Sequence, residues 1–251
     1  MDTRTIREKI FHEERFADGD GARPQDRFYV AVDRGKAALD AKIDAAAARG
    51  GTGLEIGCST GVKLEQLLRR YSFEAHGIDI SDAAISTANH RFDRAPRPPR
   101  LSVMDANHLE YPSNFFDFVF GCGILHHLQL PQALQEVHRV LKPGGSMIFM
   151  EPLGTNPMID LYRWATPSDR SPDETPLTRA HLGSIRRIFQ DTRLEFFGLF
   201  SLAGVPLRRW PKTQARFMSV STSIDRALFK LPAARYLAWM VVMDGKKLPS
   251  A

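Results

Sequence analysis

Three acidic residues each stand at or near the end of a short apolar run. Glu55 lies two residues before Gly57, and Asp79 lies 22 residues after that glycine. Asp105 ends a third run. An acid about 20 residues beyond a glycine turn is positioned to accept both hydroxyls of a ribose. An acid beside the turn itself suits a cationic ligand better than a pyrophosphate. The spacings favour a ligand with a ribose and a positive charge.

The glycine turn is the sequence Gly57-Cys58-Ser59-Thr60-Gly61, between an apolar run and a helix-prone segment at residues 62–70. Glycine at each end lets a ligand approach the backbone closely, and free N–H groups at a helix start would face that ligand. The dinucleotide fingerprint requires glycine where Ser59 stands, which disfavours NAD and FAD. The chain also lacks the Gly-Lys-Ser/Thr of a P-loop.

The elements that position these residues alternate along residues 51–151. Apolar runs alternate with helix-prone segments at residues 62–70, 82–93 and 131–141. This alternation predicts a parallel sheet with helices on both faces. Because such sheets bind ligands at the carboxyl ends of their strands, we expect the acids to converge on one cleft.

Five motifs in order resemble those of class I S-adenosylmethionine-dependent methyltransferases. They are residues 55–61, Asp79, Asp105, residues 115–123 (a strand and loop) and residues 141–145 (Leu-Lys-Pro-Gly-Gly). We predict that the last of these motifs is a turn and that a fifth strand follows it at residues 146–150. The resemblance covers residues 51–151 closely. It implies a Rossmann-like α/β sheet, mostly parallel with the last strand antiparallel, and S-adenosyl-L-methionine as the cofactor.

The cofactor contacts implied by the resemblance come from four strand ends. Asp79 would hold the ribose hydroxyls, Ile80 would pack on the adenine face, and Asp105 with the Ala106 backbone would meet the adenine edge. The remaining implied positions are the first strand end and its turn, with Glu55, Gly57, Cys58, Ser59 and Gly61, and the backbone of Gly121 and Cys122.

Candidate bases follow the fourth and fifth apolar runs. An alcohol or carbon acceptor needs a base, whereas a nitrogen or phenolate acceptor needs little help. His127 and Glu151 are comparable candidates and His126 is a weaker one, since imidazole titrates near neutral pH. Paired histidines here are common in related methyltransferases with varied substrates, so a catalytic role for any of the three stays open.

Length and composition are those of an ordinary globular protein. The chain has 251 residues, of which 43% are hydrophobic and 25% charged. The charged N-terminus resembles no signal peptide, and no apolar run is long enough to span a membrane. Cys58 and Cys122 lack metal-ligand spacing, and we expect a reduced pair and no metal site. We therefore expect a cytoplasmic enzyme with one catalytic domain.

We divide that domain into an N-terminal helical cap (1–50), a cofactor-binding core (51–151) and a C-terminal part (152–251). Helical patterns cover residues 1–16 and 34–49, and Asp-Gly-Asp-Gly at 18–21 breaks the first of them. In similar methyltransferases such helices close over the cofactor. Aromatic and polar residues of the cap are therefore candidate site residues, with simple packing an equal alternative. They are Phe11, His12, Arg27, Phe28 and Tyr29, of which we assign His12 a structural role.

The C-terminal part carries the whole basic excess. Residues 151–251 hold 15 lysines and arginines against 9 acids, whereas residues 1–150 hold 19 against 20. We predict a substrate lid at 152–177 with a helix at 158–164, a helix at 178–190, and strands at 193–202 and 236–243. Asp244 and Gly245 would end the last strand.

The insertion between these two strands, residues 201–235, has three interpretations. Phe217, Val220, Ile224, Leu228 and Leu231 fall at helical spacing among basic residues. The insertion can cap the substrate pocket, touch an anionic membrane, or pair with another subunit or RNA. RNA is the weakest of these, because no RNA-binding module is visible.

The reaction expected from the resemblance is in-line transfer of a methyl group to a small, apolar or aromatic metabolite. Alternatives are an RNA or protein acceptor, a membrane-associated lipophilic acceptor, aminopropyl transfer from the decarboxylated cofactor, and cofactor binding without catalysis. The sequence disfavours nucleic acid as a partner and leaves a homodimer open.

Overall fold

A seven-stranded sheet runs through the computed structural model, which describes residues 3–17, 24–166 and 173–249. For residues 15–17 and 24–27 only the backbone is described. The predicted helix break at residues 18–21 lies outside the described residues.

The strand order is β3-β2-β1-β4-β5-β7-β6. Strands β1 to β5 pair in parallel, whereas β7 runs antiparallel to both β5 and β6. This confirms the predicted Rossmann-like class I sheet with its last strand reversed. The strands are β1 Thr52–Ile56, β2 Glu74–Asp79, β3 Arg100–Val103, β4 Phe116–Cys122, β5 Leu141–Pro152, β6 Arg193–Phe197 and β7 Met240–Lys246.

Helices connect the strands and cover both faces of the sheet. The α-helices are α1 Thr3–Ala17, α2 Asp33–Ala47, α3 Val62–Leu68, α4 Asp82–Phe92, α5 Leu130–Val140, α6 Pro157–Ala165, α7 Arg179–Ile188 and α8 Pro211–Leu228. Segments of 3-10 helix are Pro24–Val32, Leu125–His127, Phe200–Arg209 and Ala234–Leu237. None of the helices in the described ranges has the length and apolar character needed to cross a membrane.

Alternate strand residues feed two separate cores. Val241 and Met243 of β7 join one core with α5 and α7, while Met240 and Val242 join the other with α2 and α3. Successive side chains of a strand point to opposite faces, so each central strand must be apolar on both sides. The near-continuous apolar runs in the sequence reflect this requirement.

Most predicted elements are confirmed, but the boundaries of the last two strands were wrong. The sixth strand ends at Phe197 instead of residue 202, because Gly198 adopts φ +81° and a 3-10 helix follows. The seventh begins at Met240 and continues through Asp244, which pairs with both Ile148 and Arg193. We predicted the ends of these strands from apolar content alone. In the structure they are determined by which residues of neighbouring strands are available to pair.

A predicted turn at residues 142–145 is instead an irregularity within β5. Leu141 pairs with Phe116, and the next paired residue on β5 is Ser146, opposite Phe118. The extra residues loop out of the ladder, and Gly144 takes φ +81° there. The sheet therefore gains a longer fifth strand than the sequence predicted.

The insertion between β6 and β7 is organised by one buried acid on α8. The Asp225 carboxylate accepts hydrogen bonds from the backbone N–H groups of Leu199, Phe200 and Ser201, at 3.1, 2.7 and 3.2 Å. It also accepts one from the Ser201 hydroxyl at 2.8 Å. These groups open the 3-10 helix Phe200–Arg209 and have no partner within it. Asp225 thus joins α8 to the end of β6.

Replacing Asp225 by Ala should lower the free energy of unfolding by about 2 kcal/mol, since buried donors would lose their acceptor. Urea denaturation monitored by circular dichroism measures this loss. Exposed Asp191 is the matched control, and its replacement by Ala should leave stability within about 0.5 kcal/mol. Equal stability of the two variants would contradict this role for Asp225.

Candidate functional site

A cleft opens at the carboxyl ends of the parallel strands, as predicted. Its wall contains Gly57 after β1, Asp79 and Ile80 at the end of β2, and Asp105 with Ala106 after β3. Helix α1 covers the cleft, and the remaining cavity measures about 50 Å³. A cavity this small is far below the usual size of a ligand pocket. A ligand as large as a nucleoside can therefore enter only if α1 moves.

The prediction missed several residues of the same wall. Met104, Asn107, Ile124 and Leu128 adjoin predicted positions, so the strand-end rule could have found them. Thr5 and Glu8 come from α1, together with His12. No spacing rule connects α1 to strands that begin about 50 residues later, so only the three-dimensional structure shows these contacts.

The glycine turn is held by internal contacts. Gly57 and Gly61 take φ +71° and +76°, and Ser59 takes φ +50°, all in the left-handed region. The N–H groups of Gly57 and Cys58 donate to the Ile78 carbonyl at 2.8 and 2.9 Å, which ties the turn to β2. Three left-handed residues in five explain the glycines at both ends.

Some turn residues were predicted for close ligand approach but serve packing instead. A Cβ on Gly61 would lie 2.8 Å from the Phe92 ring, so a side chain is excluded by the protein itself. Cys58, Ser59 and Gly61 do not line the cleft. Ser59 acts on the site through its backbone, which contacts Asp79.

Asp79 and Asp105 are each oriented by nearby backbone groups. Asp79 accepts hydrogen bonds from the N–H of Ser59 at 2.9 Å and of Ser81 at 3.0 Å, one on each oxygen. One oxygen of Asp105 accepts from both the backbone and the side-chain N–H groups of Asn107 at 2.9 Å. Both carboxylates therefore face the cleft in orientations that these N–H groups hold.

Glu55 lies beneath the turn and outside the cleft wall. Burial raises the pKa of its carboxyl to about 8, with Lys63 lowering it and Asp79 raising it. Its Oε2 atom is buried and accepts no hydrogen bond within the part of the chain that the structure describes. A buried carboxylate in this state favours either a proton or a nearby cation.

Gly121 and the two cysteines also lie off the cleft wall. A Cβ on Gly121 would lie 2.8 Å from the Ile56 carbonyl oxygen, so packing explains this glycine. Burial raises the pKa of the Cys58 thiol, which keeps it unreactive. Cys122 is exposed at the end of β4, and the structure joins neither cysteine in a disulfide.

Glu151 sits behind the site rather than facing the cleft as expected. Its Oε1 atom accepts from the N–H groups of Ile124 and Leu125 at 2.9 Å each. Its Oε2 atom lies 2.7 Å from His126 Nδ1. Burial raises the pKa of Glu151 to about 7, against the lowering effect of these N–H groups. Glu151 and His126 thus anchor the 3-10 helix after β4 and do not line the cleft.

His127 is the one candidate base that reaches the cleft wall. Its Nδ1 atom lies 3.0 Å from Glu8 Oε2, and its ring lies 5.3 Å from that of His12. The buried Glu8 carboxylate therefore orients the imidazole from α1. The sequence had assigned His12 a structural role, but the structure places it at the cleft as well.

The other aromatic residues of the cap pack away from the cleft. Phe28 contacts Tyr162 at a ring distance of 4.8 Å, and Tyr29 contacts Trp239 at 5.4 Å. Phe11 packs edge-on against His12 at 5.6 Å. The side chain of Arg27 lies outside those described. These aromatics join α6 and the start of β7 to the N-terminal part.

The strand order, the reversed seventh strand and a cleft at the strand ends define the class I methyltransferase fold. The family model described as "Methyltransferase domain" matches residues 54–149 of the chain. The match starts in β1 and ends in β5, so it contains every strand end around the cleft.

Curated relatives also match only a part of the chain. A malonyl-[acyl-carrier protein] O-methyltransferase of Halorhodospira halophila is 37% identical over 100 residues, which are 38% of this chain and 33% of that one. A 2-phytyl-1,4-naphtoquinone methyltransferase of Nostoc punctiforme is 32% identical over 111 residues, 42% of this chain and 48% of the other. The match thus spans half or less of these relatives.

Among solved structures, a phosphoethanolamine N-methyltransferase 2 of Haemonchus contortus shares the fold. That structure holds phosphomonomethylethanolamine and S-adenosylhomocysteine. The TM-score is 0.56 at 18% sequence identity, over 80% of this chain and 49% of that chain.

The raised pKa of Glu55 predicts a pH dependence of stability. Between its ordinary value of 4.5 and about 8, the folded state keeps a proton that the unfolded state has lost. The free energy of unfolding should therefore fall as pH rises through this window, by at most about 1.4 kcal/mol per pH unit.

Denaturation of the wild type and of Glu55→Gln at pH 5 to 8 measures this dependence. The variant should show a shallower decline, because glutamine does not titrate. Glu74→Gln, at a half-exposed acid on β2, should keep the wild-type slope. A Glu55→Gln slope equal to that of the wild type would show that Glu55 ionises normally.

Proposed function

We propose that this protein is an S-adenosyl-L-methionine-dependent methyltransferase whose acceptor is a small apolar or aromatic metabolite. The observation that carries the proposal is the pair of oriented carboxylates, Asp79 and Asp105, in a cleft whose wall also contains apolar side chains. The match of residues 54–149 to the methyltransferase domain family model supports it.

The residues present fit the proposed cofactor. Asp79 offers carboxylate oxygens to ribose hydroxyls, and Ile80, Met104 and Leu128 offer an apolar surface to an adenine ring. The buried Glu55 carboxylate, without a hydrogen-bond partner on Oε2 among the described residues, makes the surroundings suited to a cation. A sulfonium cofactor with an ammonium group meets all three conditions.

When bound, the cofactor supplies a methyl group activated by the positive sulfur, so the protein mainly has to position and desolvate the reactants. Helix α1 would exclude water, since Thr5, Glu8 and His12 cover the cleft. His127 would accept a proton from a hydroxyl acceptor, with Glu8 holding its Nδ1 side at 3.0 Å. The relative that acts on a phytyl-naphthoquinone supports an apolar, aromatic acceptor.

Replacing Asp79 by Asn should weaken binding of S-adenosyl-L-methionine at least tenfold, because a charge-assisted hydrogen bond to the ribose is lost at nearly constant shape. Calorimetric titration measures the dissociation constant. Asp93→Asn is the matched control at an exposed position at the end of α4, and it should bind as the wild type does. Unchanged affinity in Asp79→Asn would contradict the assigned ribose contact.

A specific surface favours a second candidate function, methylation of a lipophilic acceptor at a membrane. We define the α8 apolar face as Trp210, Val220, Ile224 and Leu231. Val220 and Ile224 are 62% and 45% exposed, and Trp210 and Leu231 are more than half exposed. Helix α8 buries Ser221 and Asp225 instead, because Asp225 caps the neighbouring 3-10 helix. Of the predicted apolar stripe, Val220, Ile224 and Leu231 are thus exposed, whereas Phe217 and Leu228 are half-buried.

Basic side chains surround this face. Six of them are exposed: Arg208, Arg209, Lys212, Arg216, Arg226 and Lys230. Apolar residues flanked by cations are the pattern of helices that lie on anionic lipid surfaces. Under this proposal the α8 apolar face would hold the protein against the membrane from which it draws its acceptor.

The double variant Val220→Ser/Ile224→Ser should co-sediment at least threefold less with vesicles that contain anionic phosphatidylglycerol. Leu248→Ser is the control, since Leu248 is similarly exposed but lies after β7. Equal co-sedimentation of all three proteins would remove the membrane candidate. If the double variant instead changes a dimer to a monomer in analytical ultracentrifugation, the face pairs two chains.

A further inference from the structure

Glu8, His12 and His127 meet where helix α1 crosses the loop after β4. Glu8 and His12 stand one turn apart on the same side of α1, and both line the cleft with His127. Glu8 Oε2 lies 3.0 Å from His127 Nδ1 and 3.8 Å from His12 Nε2. One ligand atom from each residue lies within 4.8 Å of the other two.

Two imidazoles and one carboxylate form a recurrent donor set for divalent transition metals. Zinc takes such sets with three protein ligands, and metal–ligand distances of about 2.1 Å place the ligand atoms about 3.3 Å apart. The three side chains need shift by only about 1 Å to reach that separation. Their side chains are 6%, 15% and 5% exposed for Glu8, His12 and His127, so the surrounding protein already excludes most water.

A second group of potential ligands shares His127 but is already engaged. His126 Nδ1 contacts Glu151 at 2.7 Å. Glu174 forms a close ion pair with Arg163. A metal at His126, His127 and Glu174 would have to compete with a guanidinium for its carboxylate. All three members of the group with Glu8 and His12 also line the cleft, whereas His126 and Glu174 do not, and this favours the first group.

We propose that Glu8, His12 and His127 form a binding site for a divalent transition ion of the zinc type at the mouth of the cleft. Three protein ligands leave a coordination position open toward the cleft, as in catalytic zinc sites. The ion would also link α1 to the loop after β4 and so hold the cover closed. No ligand spacing in the sequence indicates this site, because 115 positions separate His12 from His127.

The role of the ion rests on the proposed methyl transfer. With the ion bound, His127 would be a metal ligand in place of the proton acceptor proposed above. Coordination of an acceptor hydroxyl by the ion would lower the pKa of that hydroxyl, and its proton would pass to water. The acceptor oxygen would then form a bond to the methyl carbon as the sulfur–carbon bond breaks, leaving a neutral thioether. Metal binding itself does not depend on this reaction and is measured without any cofactor.

The test is calorimetric titration of the full chain, stripped with EDTA, with Zn²⁺ and with Co²⁺, whose visible absorption reports its ligands. We expect one ion per chain with micromolar or tighter affinity, and no binding of Mg²⁺, which prefers oxygen ligands. His12→Gln and His127→Gln should each weaken binding at least 100-fold. Circular dichroism establishes that each variant is folded.

Glu174→Gln is the matched control, because it removes the acid of the second group and should change affinity less than threefold. Absence of Zn²⁺ binding by the wild type would overturn the proposal. Binding that survives His12→Gln but fails in Glu174→Gln would overturn it too, by placing the ion in the second group. Asp79→Asn should still bind the metal, so failure of the cofactor assignment is distinguishable from failure of this one.

Discussion

The arrangement of the site depends on the buried carboxylate of Glu151 at the end of β5. It accepts hydrogen bonds from the N–H groups of Ile124 and Leu125, at the start of the 3-10 helix Leu125–His127, and it contacts His126 Nδ1. A fully buried acid is costly unless its oxygens are satisfied, and here the loop after β4 provides those donors. The loop cannot shift without exposing both the acid and its partners, and His127 is therefore held at the cleft. Glu151 acts on the site through this positioning.

In the insertion, the buried carboxylate of Asp225 accepts backbone hydrogen bonds in the same way. In both places a buried carboxylate from one element caps the start of a 3-10 helix that directly follows a strand. Such caps satisfy backbone donors that the helix itself leaves open. In the insertion the cap has a second consequence, because it forces α8 to bury its polar side. Val220 and Ile224 of α8 are then exposed.

Helix α1 is the cover of the cleft. It covers the strand ends with Thr5, Glu8 and His12, and its outer side is tied down by the Arg7–Asp173 pair at 2.6 Å and the Lys9–Asp82 pair at 2.5 Å. Exposed ion pairs of this kind contribute about 1 kcal/mol or less each. A cover held by weak surface pairs and a few buried polar contacts can open to admit a ligand and still close over it.

The sequence by itself determined the mostly parallel sheet with its reversed last strand, and the acids at the strand ends around the cleft. Apolar runs, glycine turns and the spacing from Gly57 to Asp79 are local features, and parallel strands bring such features to one edge whatever the loops do. Only the tertiary structure decided that Glu151 lies behind the site, that Glu8 and His12 meet His127, and that α8 leaves Val220 and Ile224 exposed. Each of these depends on which distant backbone N–H group or side chain satisfies a buried polar atom. That choice is made between residues up to about 120 positions apart, where sequence spacing carries no information.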